Sequence, residues 1–87
     1  MLQFKRAKHI LLKYFTKENV KVILSGTINM DLYIENTRIL MDNKKIILSN
    51  GDNQNIIIDL QDIIKIEILN KWHIIFRSKF LTIDIQQ

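Results

Sequence analysis

The sequence predicts a small, mainly β domain led by one amphipathic N-terminal helix. Ile is its dominant apolar residue, with 18 copies in 87 residues. Its β-branched side chain is stiff at χ1 and suits strands better than helices. After Val20, apolar and polar residues alternate in short runs separated by polar turn formers. Pro is absent and Gly occurs only twice, so most turns must rest on Asn and Asp. A chain of this length is one domain, 1–87. Its helix is expected over 2–15 and its β-domain over 20–86. Such a chain buries roughly 60–65% of its unfolded surface, enough for one modest core.

Within 2–15, Phe4, Ala7, Leu11 and Tyr14 follow a 3-4-3 spacing, and Ile10 and Phe15 widen the same stripe. Lys5, Arg6, Lys8 and Lys13 lie away from it. The stripe is expected to cover one face of a sheet. The basic face is also of the kind that makes peripheral contact with anionic membrane. Residues 1–21 carry six bases and one acid, against seven and eight in the rest, for a net charge of +4. The positive charge thus belongs to the N-terminal segment, which weakens an argument from overall pI to a nucleic-acid-binding surface.

The strands follow from the period-2 pattern. Ile28, Met30, Leu32 and Ile34 alternate with Asn29, Asp31, Tyr33 and Glu35. After a turn at Asn36-Thr37 come Ile39 and Met41, then Asn43-Lys44, then Ile46 and Leu48. Asn50-Gly51-Asp52-Asn53 is the strongest turn signal. Ile56, Ile58 and Leu60 follow, then Ile64, Ile66 and Ile68. Asn70-Lys71 turns the chain toward Ile74 and Phe76, and Leu81, Ile83 and Ile85 close it. This makes seven or eight short strands, mostly antiparallel because no helix separates them. Ile23, Leu40, Ile47, Ile57, Ile63, Leu69 and Ile75 fall on the nominally outer face. One helix of about 20 Å cannot cover them. The strands are therefore expected to form a curled sheet, a small barrel or a sandwich, or to bury the second face in a homo-oligomer or a hetero-complex with a protein.

Little in the chain points to catalysis. There is no Cys, which excludes disulfides, thiol catalysis and thiolate metal sites. The apolar run Ile10-Leu11-Leu12 is too short for a signal sequence or a membrane span. His9 and His73 lack a carboxylate at metal-ligand spacing and read as surface or half-buried imidazoles. Ser25, Ser49 and Ser78 read as turn chemistry, and Asp59 and Asp62 as strand-end solvation. No catalytic residue, cofactor or metal is expected, and the protein reads as non-enzymatic. Trp72, beside the Asn70-Lys71 turn, either folds back over the core or anchors an interface, where Trp is enriched among hot spots. Phe80, near Ser78-Lys79, has the same two readings. With Tyr33 these form the candidate interaction set.

The order "VILSG", "LYIEN", "KKIIL", "IIKIEIL", "HIIFRSKFLTIDI" after a basic helix resembles the YabP/YqfC family of small sporulation proteins. Ile34-Glu35-Asn36 matches one signature. Ile74 to Ile83, with Phe80, matches another, except that Ser78 stands where the family favours Gly. The resemblance covers about residues 20–85. It implies a role in endospore formation, on the cytoplasmic mother-cell side, beside a membrane-protein partner. A second resemblance is to Sm-like barrels, through a short helix, five strands and Asp42 before "KKIILS". It implies an RNA-binding ring. Physically, Glu35-Asn36 requires only a strand end and an Asn turn, because Asn tolerates φ > 0.

Overall fold

The helix forms where the spacing placed it. In the computed structural model, which describes residues 2–51 and 55–87 and the side chains of 3–51 and 55–87, α1 (Leu2–Ile10) runs directly into a π-helical turn, Leu11–Phe15. Ala7, Leu11 and Phe15 are completely buried, Ile10 nearly so, and Phe4 and Tyr14 pack at the margin of the same core. The basic helix is thus a packed element, lying along strand β6 (Ile63–Asn70).

Thr16 stops it. Its Oγ1 donates to the Leu12 carbonyl at 2.7 Å, and its backbone turns extended at ψ 130°. Lys17 then adopts φ +67°. The exit is tied to the "LYIEN" turn. Lys17 N–H donates to the Thr37 carbonyl at 2.7 Å, Thr37 N–H donates to the Glu18 carbonyl at 3.0 Å, and Asn36 N–H donates to Asn19 Oδ1 at 3.2 Å. Thr37 is fully buried there, with its hydroxyl donating to the Ile34 carbonyl.

Eight strands follow, divided between two antiparallel sheets. β1 (Val20–Gly26), β2 (Met30–Ile34), β6, β7 (His73–Ser78) and β8 (Leu81–Gln86) form one, in the order β2-β1-β8-β7-β6. β3 (Arg38–Met41), β4 (Lys45–Ser49) and β5 (Asn55–Asp59) form the other as a meander. A 3-10 turn, Leu60–Asp62, returns the chain to the larger sheet. The sheets are not closed into a barrel, the form that the Sm-like resemblance implies. Of the expected forms, the stacked one is closest. Inward residues of both sheets, including Val22, Ile34, Ile66, Phe76 and Ile85 from one and Ile46, Leu48 and Ile58 from the other, meet the helix in one core.

Three local expectations are corrected. Ile28 lies in the β1–β2 turn, and Ile28 and Met30 are 55% and 48% exposed, so the inward alternation of β2 begins only at Leu32. Ile64 is exposed, while Ile63 packs against the core. A register irregularity between Ile63 and Lys65 resets the alternation, because a bulge moves the following side chains to the opposite face. Leu60 is buried, but from the 3-10 turn and not from a strand. Of the strongest predicted turn, Asp52 and Asn53 lie outside the described residues. Gly51 takes φ +91°, and its N–H donates to Ser49 Oγ.

Candidate interaction surfaces

At the centre of the larger sheet's outer face polar side chains surround the apolar ones, whereas Tyr33 on β2 and Leu69 on β6 stay exposed. Strand register places Ile75 opposite Asp84 and Glu67, and Ile23 opposite Asp84 and Asp31. His73 Nε2 and Asp84 Oδ1 are 2.7 Å apart, and Gln86 Nε2 donates to the same oxygen at 3.0 Å. Arg77 Nε donates to Glu67 Oε1 at 2.8 Å, and Lys65 Nζ lies 3.6 Å from the same oxygen. The Arg77 hydrogen bond holds the Glu67 carboxyl below its ordinary range. Beneath this layer Ile75 is only 9% exposed. Local spacing gives His73 no partner, because Asp84 stands eleven residues away. The β7–β8 hairpin register around Ser78-Lys79 is the signal that joins them.

The smaller sheet differs. Its outward residues are Arg38 and Leu40 on β3, Lys45, Ile47 and Ser49 on β4, and Asn55, Ile57 and Asp59 on β5. Leu40 pairs with Ile47 and Ile47 with Ile57, so three apolar side chains form a row straight across the sheet. Leu40 is 64% exposed and Ile57 61%. On one side of the row stand Lys45 and Asp59, directly paired in register, with Asp42 beside Leu40 and Lys45. On the other stand Arg38, Ser49 and Asn55, also in register. Asp42 Oδ1 accepts from the N–H groups of Lys44 and Lys45 at 2.7 and 2.9 Å, which lowers its pKa.

The candidate aromatic residues do not converge. Trp72 and Phe80 sit in the turns at opposite ends of β7. Trp72 is half exposed and does not fold over the core. Lys71 Nζ lies over its ring at 4.6 Å and over that of Tyr14 at 5.4 Å, tying this turn to the helix end. Phe80 is exposed, and its carbonyl accepts from Thr27 N–H at 3.1 Å, which brings the turn carrying Ile28 beside it. Tyr33 is exposed on edge strand β2, with Lys21 Nζ 5.5 Å from its ring. An open depression of about 460 Å³ at this edge is lined by Tyr33, Ile34 and Glu35 together with Lys21, Gln86 and Gln87.

Of the signature residues, Ile34 is fully buried, Glu35 is exposed, and Asn36 takes φ +51°. Lys5, Arg6 and Lys13 are exposed on the helix. Lys8 is half-buried, with its ammonium 5.2 Å from the Phe4 ring and donating to the Asp42 carbonyl at 3.1 Å. Lys8 therefore ties the helix to the β3–β4 turn.

Among the described residues, no helix is long and apolar enough to cross a membrane, and no three His, Asp or Glu side chains are grouped to hold a metal ion. No protein-family model, characterised protein or solved structure matches the chain.

Proposed function

We propose that the protein is a non-enzymatic protein-interaction module, acting in endospore formation as the resemblance to the YabP/YqfC family implies. The carrying observation is the solvent-facing row Leu40–Ile47–Ile57 on the small sheet. The larger sheet roofs its outward Ile75 with ionic and amide side chains, whereas the small sheet leaves both ends of its row, Leu40 and Ile57, exposed and Ile47 between them half-buried. Open apolar rows with polar flanks are the usual form of a protein contact surface. A membrane-protein partner on the mother-cell side is the binding counterpart that the resemblance suggests.

The test is affinity capture from sporulating cells with the full chain and with an Ile57→Lys variant. Ile57 is largely exposed, so the variant should melt like the parent. The reading requires partners that the parent retains and the variant loses. Identical capture by both would refute it. A salt-sensitive shift of single-stranded RNA, unaffected by Ile57→Lys, would favour RNA binding instead.

A further inference from the structure

We infer that the small sheet's outer face docks on the same face of a second copy of this chain, about a two-fold axis lying in the face and perpendicular to its strands. This rests on the interaction-module reading and names the partner for that surface. The polarity of the two flanks selects this axis. Such an axis turns the apolar row onto its own mate, so Leu40, Ile47 and Ile57 each meet their counterparts. It also turns each flank onto the opposite flank of the other copy. Arg38 then faces Asp42, Ser49 faces Lys45, and Asn55 faces Asp59. Every polar position meets a complementary one: cation with carboxylate, hydroxyl with ammonium, amide with carboxylate. Because the contact is isologous, each of these pairs occurs twice.

The other in-plane axis, parallel to the strands, fails on the same residues. It would lay Lys45 on Lys45 and Asp42 on Asp59, and like charges across an interface are a strong penalty. Asp42 and Asp59 each accept backbone N–H groups of their own turns through Oδ1, which leaves Oδ2 of each for the contact. Arg38, Leu40, Asp42, Lys45, Asn55, Ile57 and Asp59 are all exposed, and none of the ion pairs among the described residues involves them. Strands about 4.8 Å apart, with same-face residues about 7 Å apart, give a three-by-three face of only on the order of 300 Å² per copy. Standard complexes bury roughly 800 Å² per partner. The dimer is therefore weak and reversible, populated where the local concentration of chains is high.

Sedimentation equilibrium of the full chain, from micromolar to about millimolar, tests this. The parent should show a reversible monomer–dimer equilibrium. Ile57→Lys places two ammonium groups against each other on the axis and should weaken it at least about tenfold. Arg38→Glu and Asp42→Lys should each self-associate less than the parent, yet pair with one another when mixed, because both facing pairs are then of opposite charge. Thermal melts of each variant confirm that the fold is intact, and Ile64→Lys, on another surface, should leave the dimer unchanged. A parent that stays monomeric overturns the inference. So does a dimer insensitive to Ile57→Lys, or a mixture that fails to pair. A monomeric parent that still loses a captured partner on Ile57→Lys would overturn self-docking while leaving the proposed function standing.

Discussion

Asn36 sits at φ +51° and donates its N–H to Asn19, while the next residue, Thr37, is buried and bonded to both sides of the helix exit. Its residue type matters because a β-branched side chain is strained in that conformation. Asn36→Val should cost about 1–2 kcal/mol in urea unfolding, whereas Asn36→Gly should stay within about 1 kcal/mol of the parent. Gly26 is constrained differently. At φ +137° an added Cβ would lie 2.3 Å from the Phe80 carbonyl oxygen, a backbone atom that cannot move aside. Gly26→Ala should lower the melting temperature sharply and separate the β1–β2 turn from the Phe80 turn.

Asp42 and Glu67 give the acid dependence. Both carboxyls are held below their ordinary range, Asp42 by the backbone N–H groups of Lys44 and Lys45 and Glu67 by Arg77. A group depressed only in the folded state stabilises the fold above its unfolded pKa. That contribution disappears as pH falls through the folded value. Melting temperature should therefore fall from about pH 4 downward, and Asp42→Asn, whose amide oxygen can accept the same bonds, should flatten part of that fall. The Asn turn was readable from the sequence because its conformational tolerance is local. The Arg77–Glu67 and His73–Asp84 pairs were not, because they depend on strand register.

Among elements, the helix was the most legible. Its stripe and its ends near 2 and 15 agree with the packed segment, although the last turn is π-helical. Phe15 is fully buried in that turn and Leu12 half exposed. Phe15→Ala should cost about 3–5 kcal/mol and Leu12→Ala roughly 0.5 kcal/mol or less, measured by denaturant unfolding. The contrast separates a packed helix from one held only by its charges. Strand existence was equally plain from the period, but facing was not always so. The irregularity at Ile63–Lys65 exchanged Ile63 for Ile64, and alternation alone carries no signal of where a strand gains a residue.

For the whole molecule, excess outward Ile had two outcomes that composition cannot separate. On the larger sheet, cross-strand neighbours cover Ile75. On the smaller one, register aligns Leu40, Ile47 and Ile57 into an open row. Both depend on which strands are neighbours, and the pairing of β1 with β8 is a long-range choice that local pattern does not encode. The central claim is that this row docks on its own counterpart in a second copy. Backbone amide NMR spectra of the full chain, recorded on dilution from about 1 mM to about 20 µM, across the weak-affinity range, address it most directly. Self-docking of this face predicts shift changes concentrated on β3, β4 and β5, largest around Leu40, Ile47 and Ile57. Spectra independent of concentration, or changes centred on β1, β2 and β8, would contradict it.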